Sequence, residues 1–182
     1  MLPPKHLVRS PVALDAALAA SIWRWLIAAL PSWRVALAGS LVWAIAMAAS
    51  AALALWLDGW ETPSRIGQLT LVYALGGALA FAPALYLARL LSRGRRDAGF
   101  AAAFLSFSVG SIGFISLIFA LHYRLYYATW HGEAFSLEWI FQFIFTTLAS
   151  LYQFLVLGVR LFFPLGLAAV FAVSLWHARA ER

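Results

Sequence analysis

A row of polar side chains between residues 138 and 153 is the first feature of this sequence that could do chemistry. Its members recur at intervals of four, four, four and three residues, which places them along one side of a helix. Unpaired amides and hydroxyls are costly against hydrocarbon, so this side is expected to face protein, water or lipid head groups. The row predicts either a packing face or a hydrophilic path. It consists of Glu138, Gln142, Thr146, Ser150 and Gln153.

Arg160 lies a few residues beyond this row, within an apolar stretch. An ionisable residue inside a membrane span is a functional candidate by default. A long side chain near the end of a span instead reaches the interface, or pairs with a carboxylate such as Glu133 or Glu138. Two interpretations therefore stay open for Arg160: structural anchoring, and the binding of an anionic group. With the polar row, it is the candidate for a polar path or a partner contact.

The segment from His122 to Glu138 gathers histidines, carboxylates and aromatic residues, but their spacing matches no pattern of metal ligands. His122 and His177 fall at opposite ends of the predicted spans, so they are not expected to hold a haem together. The chain has no cysteine, which excludes thiol and iron–sulfur chemistry, and it has no Gly-x-Ser-x-Gly elbow. No metal site, cofactor or catalytic residue is predicted, and the aromatic residues favour anchoring at a membrane interface.

The composition assigns these residues to a membrane protein. Hydrophobic residues make up 64% of the chain and charged residues 11%, against about 45–50% and about 25% in soluble domains. The net charge of +6 comes almost wholly from arginines at the ends of apolar runs. Orientation in a membrane and contact with lipid head groups explain these cations, and nucleic-acid binding is not predicted.

Apolar runs long enough to cross a bilayer, about 20 residues each, define the fold. We predict an all-α integral membrane protein, a bundle of four transmembrane helices. The last helix is expected to be long and kinked or broken, because Gly158 and Pro164 interrupt it. Whether 137–176 forms one span or two is left open by the apolar pattern. The predicted spans cover 35–57, 66–91, 99–121 and 155–176, with an interfacial or tilted helix over 137–154.

The distribution of cations predicts the orientation. Most arginines fall before the first span, between the second and third, or after the last, whereas Arg65 and Arg124 fall on the other side. The positive-inside rule then places both termini in the cytoplasm of a multi-pass cell (inner) membrane protein. The cytoplasmic N-terminal segment is 1–34, the transmembrane domain is 35–176 and the tail is 177–182.

The N-terminal stretch 12–30 is helix-prone, but Asp15 and Arg24 interrupt it. Burying both charges in the bilayer would cost several kcal/mol, on the order of 5–7 on insertion scales. We therefore predict an interfacial helix here, with an extra span or a re-entrant segment as alternatives.

Two rows of small residues predict where helices pack, because small side chains let membrane helices approach closely. The abundance of alanine is the alternative explanation for the first row. The rows are Ala36, Ser40, Ala44, Ala48 and Ala52 in the first span, and Ser106, Gly110, Gly113 and Ser116 in the third.

A compact basic cluster follows the second span and consists of Arg89, Arg93, Arg95 and Arg96. It is interpreted as a determinant of topology that contacts anionic lipid head groups, with docking of a cytoplasmic partner as the alternative.

Three functions fit this sequence. The favoured one is a non-catalytic accessory, assembly or scaffold subunit of a membrane complex, because the segments outside the predicted spans are short and the small-residue rows are prominent. The second is a small transporter or channel component that uses the polar row and Arg160. The third is a lipid- or quinone-binding membrane protein, suggested by the aromatic segment. The predicted partners are membrane lipids and other membrane subunits or further copies of this chain.

Overall fold

The computed structural model describes residues 11–92 and 96–180, and all the regular elements among these residues are helical. The chain divides into two compact units, Met1–Leu30 and Pro31–Arg182. The first unit contains helix α1 (Pro11–Ala28), in which the Arg24 side chain donates to the carbonyl of Ala20 at 3.3 Å. The helices of the second unit are α2 (Trp33–Leu57), α3 (Pro63–Ser92), α4 (Arg96–Tyr127), α5 (Leu137–Gln153) and α6 (Leu165–Ala180).

Four helical segments in the described residues are long and apolar enough to cross a membrane, which confirms the predicted number. They cover Trp33–Leu57, Pro63–Ser92, Ala98–Trp130 and Leu137–Phe162. The second and third are longer than the sequence indicated. Helix α3 starts at Pro63, because proline suits the first position of a helix. Helix α4 continues to Tyr127.

The fourth segment differs most from the prediction. Helix α5 continues through a π turn, Phe154–Gly158, and a 3₁₀ turn, Val159–Phe162, and the helical path then stops. Phe163 is extended (φ −96°, ψ 141°) and Pro164 follows it, as expected where a proline excludes the helical conformation before it. The predicted span 155–176 is thus divided between these turns and α6.

Helix α3 packs against α2 on one side and α4 on the other. Two adjacent glycines allow this. A Cβ atom on Gly76 would lie 2.5 Å from the Cα of Ile115 in α4, and one on Gly77 would lie 2.8 Å from the Met47 side chain in α2. The centre of the unit therefore combines close approach of the helices at these glycines with large buried side chains such as Trp43, Phe81 and Phe107.

The break after α5 is stabilised by hydroxyl groups from other helices. The Ser50 hydroxyl of α2 donates to the Leu161 carbonyl and accepts from the Gly166 amide, both at 2.9 Å. The Tyr73 hydroxyl of α3 donates to the Gly158 carbonyl. Because a helix break frees backbone groups that hydrocarbon cannot satisfy, these bonds explain how the broken segment is tolerated in an apolar interior.

Helix α5 contacts the last part of α4 and diverges from it. The Arg124 guanidinium lies 3.6 Å from the centroid of the Phe143 ring, and the Phe119 and Phe154 rings are 5.9 Å apart. Between these two contacts the chain advances eleven residues, from α5 to the start of the π turn, but only five residues along α4, about 16 Å against about 7.5 Å of helix rise. Helix α5 therefore does not run alongside α4.

Helix α6 runs towards the end of the unit where α4 begins. Near its start, Gly166 contacts Ser50 of α2. Further along, the Phe171 and Phe100 rings are 5.3 Å apart. A Cβ on Gly99 would lie 3.7 Å from the Cα of Ala178, close to the helix end. The chain from the π turn to the end of α6 thus crosses the unit. It starts near the beginning of α3 and finishes at the opposite end, where α4 begins.

Candidate functional site

A partly open cavity of about 710 Å³ lies where α2 ends, α3 begins, α4 ends and the π turn enters the unit. This volume falls within the range of about 300–1,000 Å³ that is typical of small-molecule sites. Its apolar lining consists of Leu55, Leu69, Val72, Phe119, Phe154, Leu157, Gly158 and Leu161. The cavity is thus mainly a hydrophobic space, bounded on several sides by different helices.

Aromatic and amide side chains form the more polar part of the lining: Trp60, Gln68, Tyr73, Tyr123, Tyr126, Tyr127 and Gln153. Rings with one polar atom suit a site that is apolar inside and wet at its mouth. Several rings also support each other, since Tyr123 and Tyr127 have centroids 4.6 Å apart. The aromatic segment noted in the sequence therefore supplies one wall of this cavity, together with α3 residues that sequence reasoning missed.

The end of α2 carries Trp60 to the cavity. Asp58 caps the helix and Gly59 adopts φ +71°, a left-handed conformation that glycine adopts without strain. The Gly59 amide then donates to the Trp56 carbonyl, and the Trp60 amide donates to the Leu55 carbonyl, each at 3.1 Å. This bonding is a Schellman motif, and it fixes the direction in which the chain leaves the helix.

Three nitrogen-bearing side chains, Arg65, His122 and Arg160, also line the cavity. Arg160 Nη2 lies 3.2 Å from Asp58 Oδ2, so its ion-pair partner is Asp58 rather than the Glu133 or Glu138 considered from the sequence. The two side chains are 52% and 39% exposed. Exposed pairs contribute up to about 1 kcal/mol of stability, so this contact orients Arg160 more than it stabilises the fold.

The polar row of α5 forms hydrogen bonds within α5 and with the loop that precedes it. Gln142 accepts from the Gly132 amide at 2.8 Å and donates to Glu138 at 3.1 Å. Thr146 Oγ1 lies 3.3 Å from His131 Nε2, and the Ser150 hydroxyl bonds to a carbonyl of its own helix. Among the row, Gln153 lines the cavity. These contacts hold the loop before α5, and the transport function inferred from the row stays a prediction.

The small-residue rows lie partly in the packed interior. In α2, the residues Ala36, Ser40, Ala44, Ala48 and Ala52 are all half-buried, beside the fully packed face. In α4, Ser106 is buried and Ser116 is half-buried. A Cβ atom on Gly110 would lie 3.2 Å from the Cβ of Ala84. Gly113 faces open space, with no atom within 4 Å of its Cβ position.

The basic cluster is only partly described. Arg89 is half-buried in the last turn of α3, and Arg96 is the first residue of α4. Arg93 and Arg95 lie outside the described residues. Contact of this cluster with lipid head groups or a cytoplasmic partner therefore stays a prediction.

One row of closely packed small residues was missed in the sequence analysis. Helix α3 has its own row of small residues at intervals of four, Gly76, Ala80, Ala84 and Ala88, and all four are buried. The sequence interpretation did not include Gly76, Gly77 or this row among the packing residues. The spacing of this row was the available signal.

The three histidines among the described residues lie in separate parts of the structure. His122 lines the cavity, His131 contacts Thr146, and His177 is buried in the last turn of α6. In the described part of the chain, no three His, Asp or Glu residues come together as a metal site would require. No family model matches this chain, and the comparisons with curated proteins and with solved structures likewise find no match.

Proposed function

We propose that this chain is a non-catalytic membrane protein that binds a lipid-like amphiphile in the cavity beside the π turn. The single observation that carries the proposal is the lining of that cavity: a mainly apolar space whose wall also includes aromatic and cationic groups. An amphiphile offers matching groups, a tail for the apolar residues of the lining and a head group for the aromatic and cationic ones. Of the three functions inferred from the sequence, the lipid- or quinone-binding one is therefore favoured.

We propose further that α5 lies at the outer membrane surface and that residues 154–180 form the last span. Three features support this arrangement. Helix α5 diverges from α4, its face around Phe141, Ile144 and Phe145 is exposed and apolar, and α6 runs to the end where α4 begins. An amphipathic helix at an interface has such an apolar face. Both termini are then cytoplasmic, in agreement with the positive-inside rule, and the cavity opens at the outer surface.

Single-cysteine labelling tests this topology, because the wild-type chain has no cysteine. In intact cells, a membrane-impermeant maleimide should label a Phe135→Cys variant, since Phe135 is 83% exposed in the loop before α5. An Ala180→Cys variant should be labelled only after the membrane is permeabilised. Labelling of Ala180→Cys from outside would contradict the arrangement, because it would require another crossing between 137 and 180.

Filling the cavity tests the binding function. Leu157 lines the cavity and is 55% exposed, so a Leu157→Trp change adds bulk there without entering the packed core. We expect native mass spectrometry of the wild-type protein, released from its membrane in mild detergent, to show a bound lipid-sized molecule. The Leu157→Trp protein should lose it.

Leu155→Trp is the matched control, because Leu155 is 64% exposed in the same turn but lies outside the lining. It should retain the bound molecule. Equal retention by both tryptophan variants, or a wild-type protein that carries nothing, would contradict binding in this cavity.

A second candidate is the accessory or assembly subunit inferred from the sequence. One observation favours it: the open space above Gly113, which lies between exposed Val109 and Leu117 on α4. A glycine on such a face lets another membrane helix approach closely. A second chain in fixed proportion, seen in the same native mass spectra, would support this function, whereas a monomer that carries only lipid would oppose it.

A further inference from the structure

The cations that line the cavity are not balanced by carboxylates in the lining. Arg65 and Arg160 contribute two positive charges, and no Asp or Glu is found among the described residues around the cavity. Asp58 lies outside the lining and pairs with one nitrogen of Arg160. A guanidinium has five N–H donors, so this pairing leaves donors of Arg160 for another acceptor. Arg65 forms no ion pair within the described residues.

In the proposed topology these arginines lie where cations are least expected. The positive-inside rule depletes Lys and Arg from outer segments, so it does not explain Arg65 or Arg160. Arg124, the other cation at this end, stacks on the Phe143 ring at 3.6 Å and lies outside the cavity lining. The two remaining arginines of this end therefore both line one cavity.

Arginine recognises phosphate and carboxylate through paired N–H donors, and such charge-assisted bonds are about twice as strong as neutral ones. Neutral donors stand nearby, since the Gln68 and Gln153 amides and the Tyr126 hydroxyl share the lining. A phosphate group, with several acceptor oxygens and at least one negative charge, can use both arginines and these donors together. A head group without an anionic group would leave Arg65 without an ionic partner among the described residues and Arg160 with Asp58 alone.

We propose that the bound amphiphile carries an anionic, phosphate-bearing head group, held by Arg65 with Arg160 while its tail lies against the apolar part of the cavity. This inference rests on the proposed function, because it names the class of ligand for the same site. The apolar lining favours a lipid over a free phosphate ion. Binding should weaken as salt is added, since the charges are partly exposed.

The test measures binding of short-chain lipids to the delipidated protein in a neutral detergent. Dioctanoyl phosphatidic acid should bind at least about tenfold more tightly than dioctanoylglycerol, which has the same tails and no phosphate. Arg65→Gln should remove most of this preference, and Arg65→Lys should restore part of it. Arg124→Gln is the matched control, because it removes a cation at the same end but outside the cavity, and it should keep the preference.

The possible outcomes separate this inference from the proposed function. Equal binding of both lipids, with Leu157→Trp still abolishing it, would overturn the anionic head group but keep the amphiphile site. Binding of neither lipid would overturn both. If inorganic phosphate alone binds in an Arg65-dependent way and displaces the lipid, the ligand is a soluble anion and the inference is wrong.

Discussion

Replacing Gly76 with alanine should destabilise the helical unit by about 1–3 kcal/mol, the cost of forcing extra atoms into a packed interior. The added Cβ would lie 2.5 Å from the Cα of Ile115 and 2.9 Å from its amide nitrogen. These are backbone atoms, so the clash cannot be relieved by turning a side chain. Helices α3 and α4 would have to separate. Reversible unfolding in mixed micelles with increasing SDS measures the loss of stability.

Gly67→Ala is the matched control for this change, because Gly67 lies in the same helix and has no atom within 4 Å of its Cβ position. Alanine favours helix over glycine, by up to about 1 kcal/mol in soluble helices. Gly67→Ala should therefore leave the free energy of unfolding unchanged or raise it slightly. If Gly76→Ala behaves like Gly67→Ala, the close approach of α3 and α4 is wrong.

Replacing Ser50 with alanine should cost about 2–6 kcal/mol, because two buried backbone groups lose their partner at once and each costs about 1–3 kcal/mol. The Ser50 hydroxyl bonds both the Leu161 carbonyl and the Gly166 amide, on either side of the helix break. Ser50 is fully buried, so water does not replace it readily. The change removes one oxygen atom, so loss of packing contributes little.

The same unfolding measurement checks Ser50→Ala, with Ser116→Ala as its control. The Ser116 hydroxyl donates to the Gly113 carbonyl of its own helix, an acceptor that the helix ladder also uses. Its removal should change the free energy of unfolding by less than about 1 kcal/mol. Similar values for both variants would show that Ser50 does not secure the break.

The all-helical fold and the number of helices of membrane length could be predicted. Long apolar runs leave the backbone no other way to satisfy its hydrogen bonds in lipid. The ends of the helices were less certain, and α3 and α4 proved longer than 66–91 and 99–121. The polar row of α5 was recognised from its spacing, but its partners, such as His131 for Thr146, depend on the fold of the preceding loop. Spacing along one helix does not specify what lies opposite.

The candidate site could be predicted only in part. The aromatic segment from His122 and the unusual position of Arg160 were visible in the sequence, and both contribute to the cavity. Arg65 was seen only as one of the few cations on the outer side. That it lines the same cavity as Arg160 could not be inferred, since almost a hundred residues separate the two along the chain and only packing brings both to one cavity.

The sequence by itself determined the all-helical architecture and four helices of membrane length, because hydropathy and run length are local properties. The tertiary structure decided which small residues matter. Gly76 and Gly77 contact two different helices, whereas Gly113, equally small, faces open space. It also decided how the last helix is broken, because Ser50 supplies from another helix the bonds that the break requires. Such contacts join residues that are distant in sequence, and local pattern does not encode them.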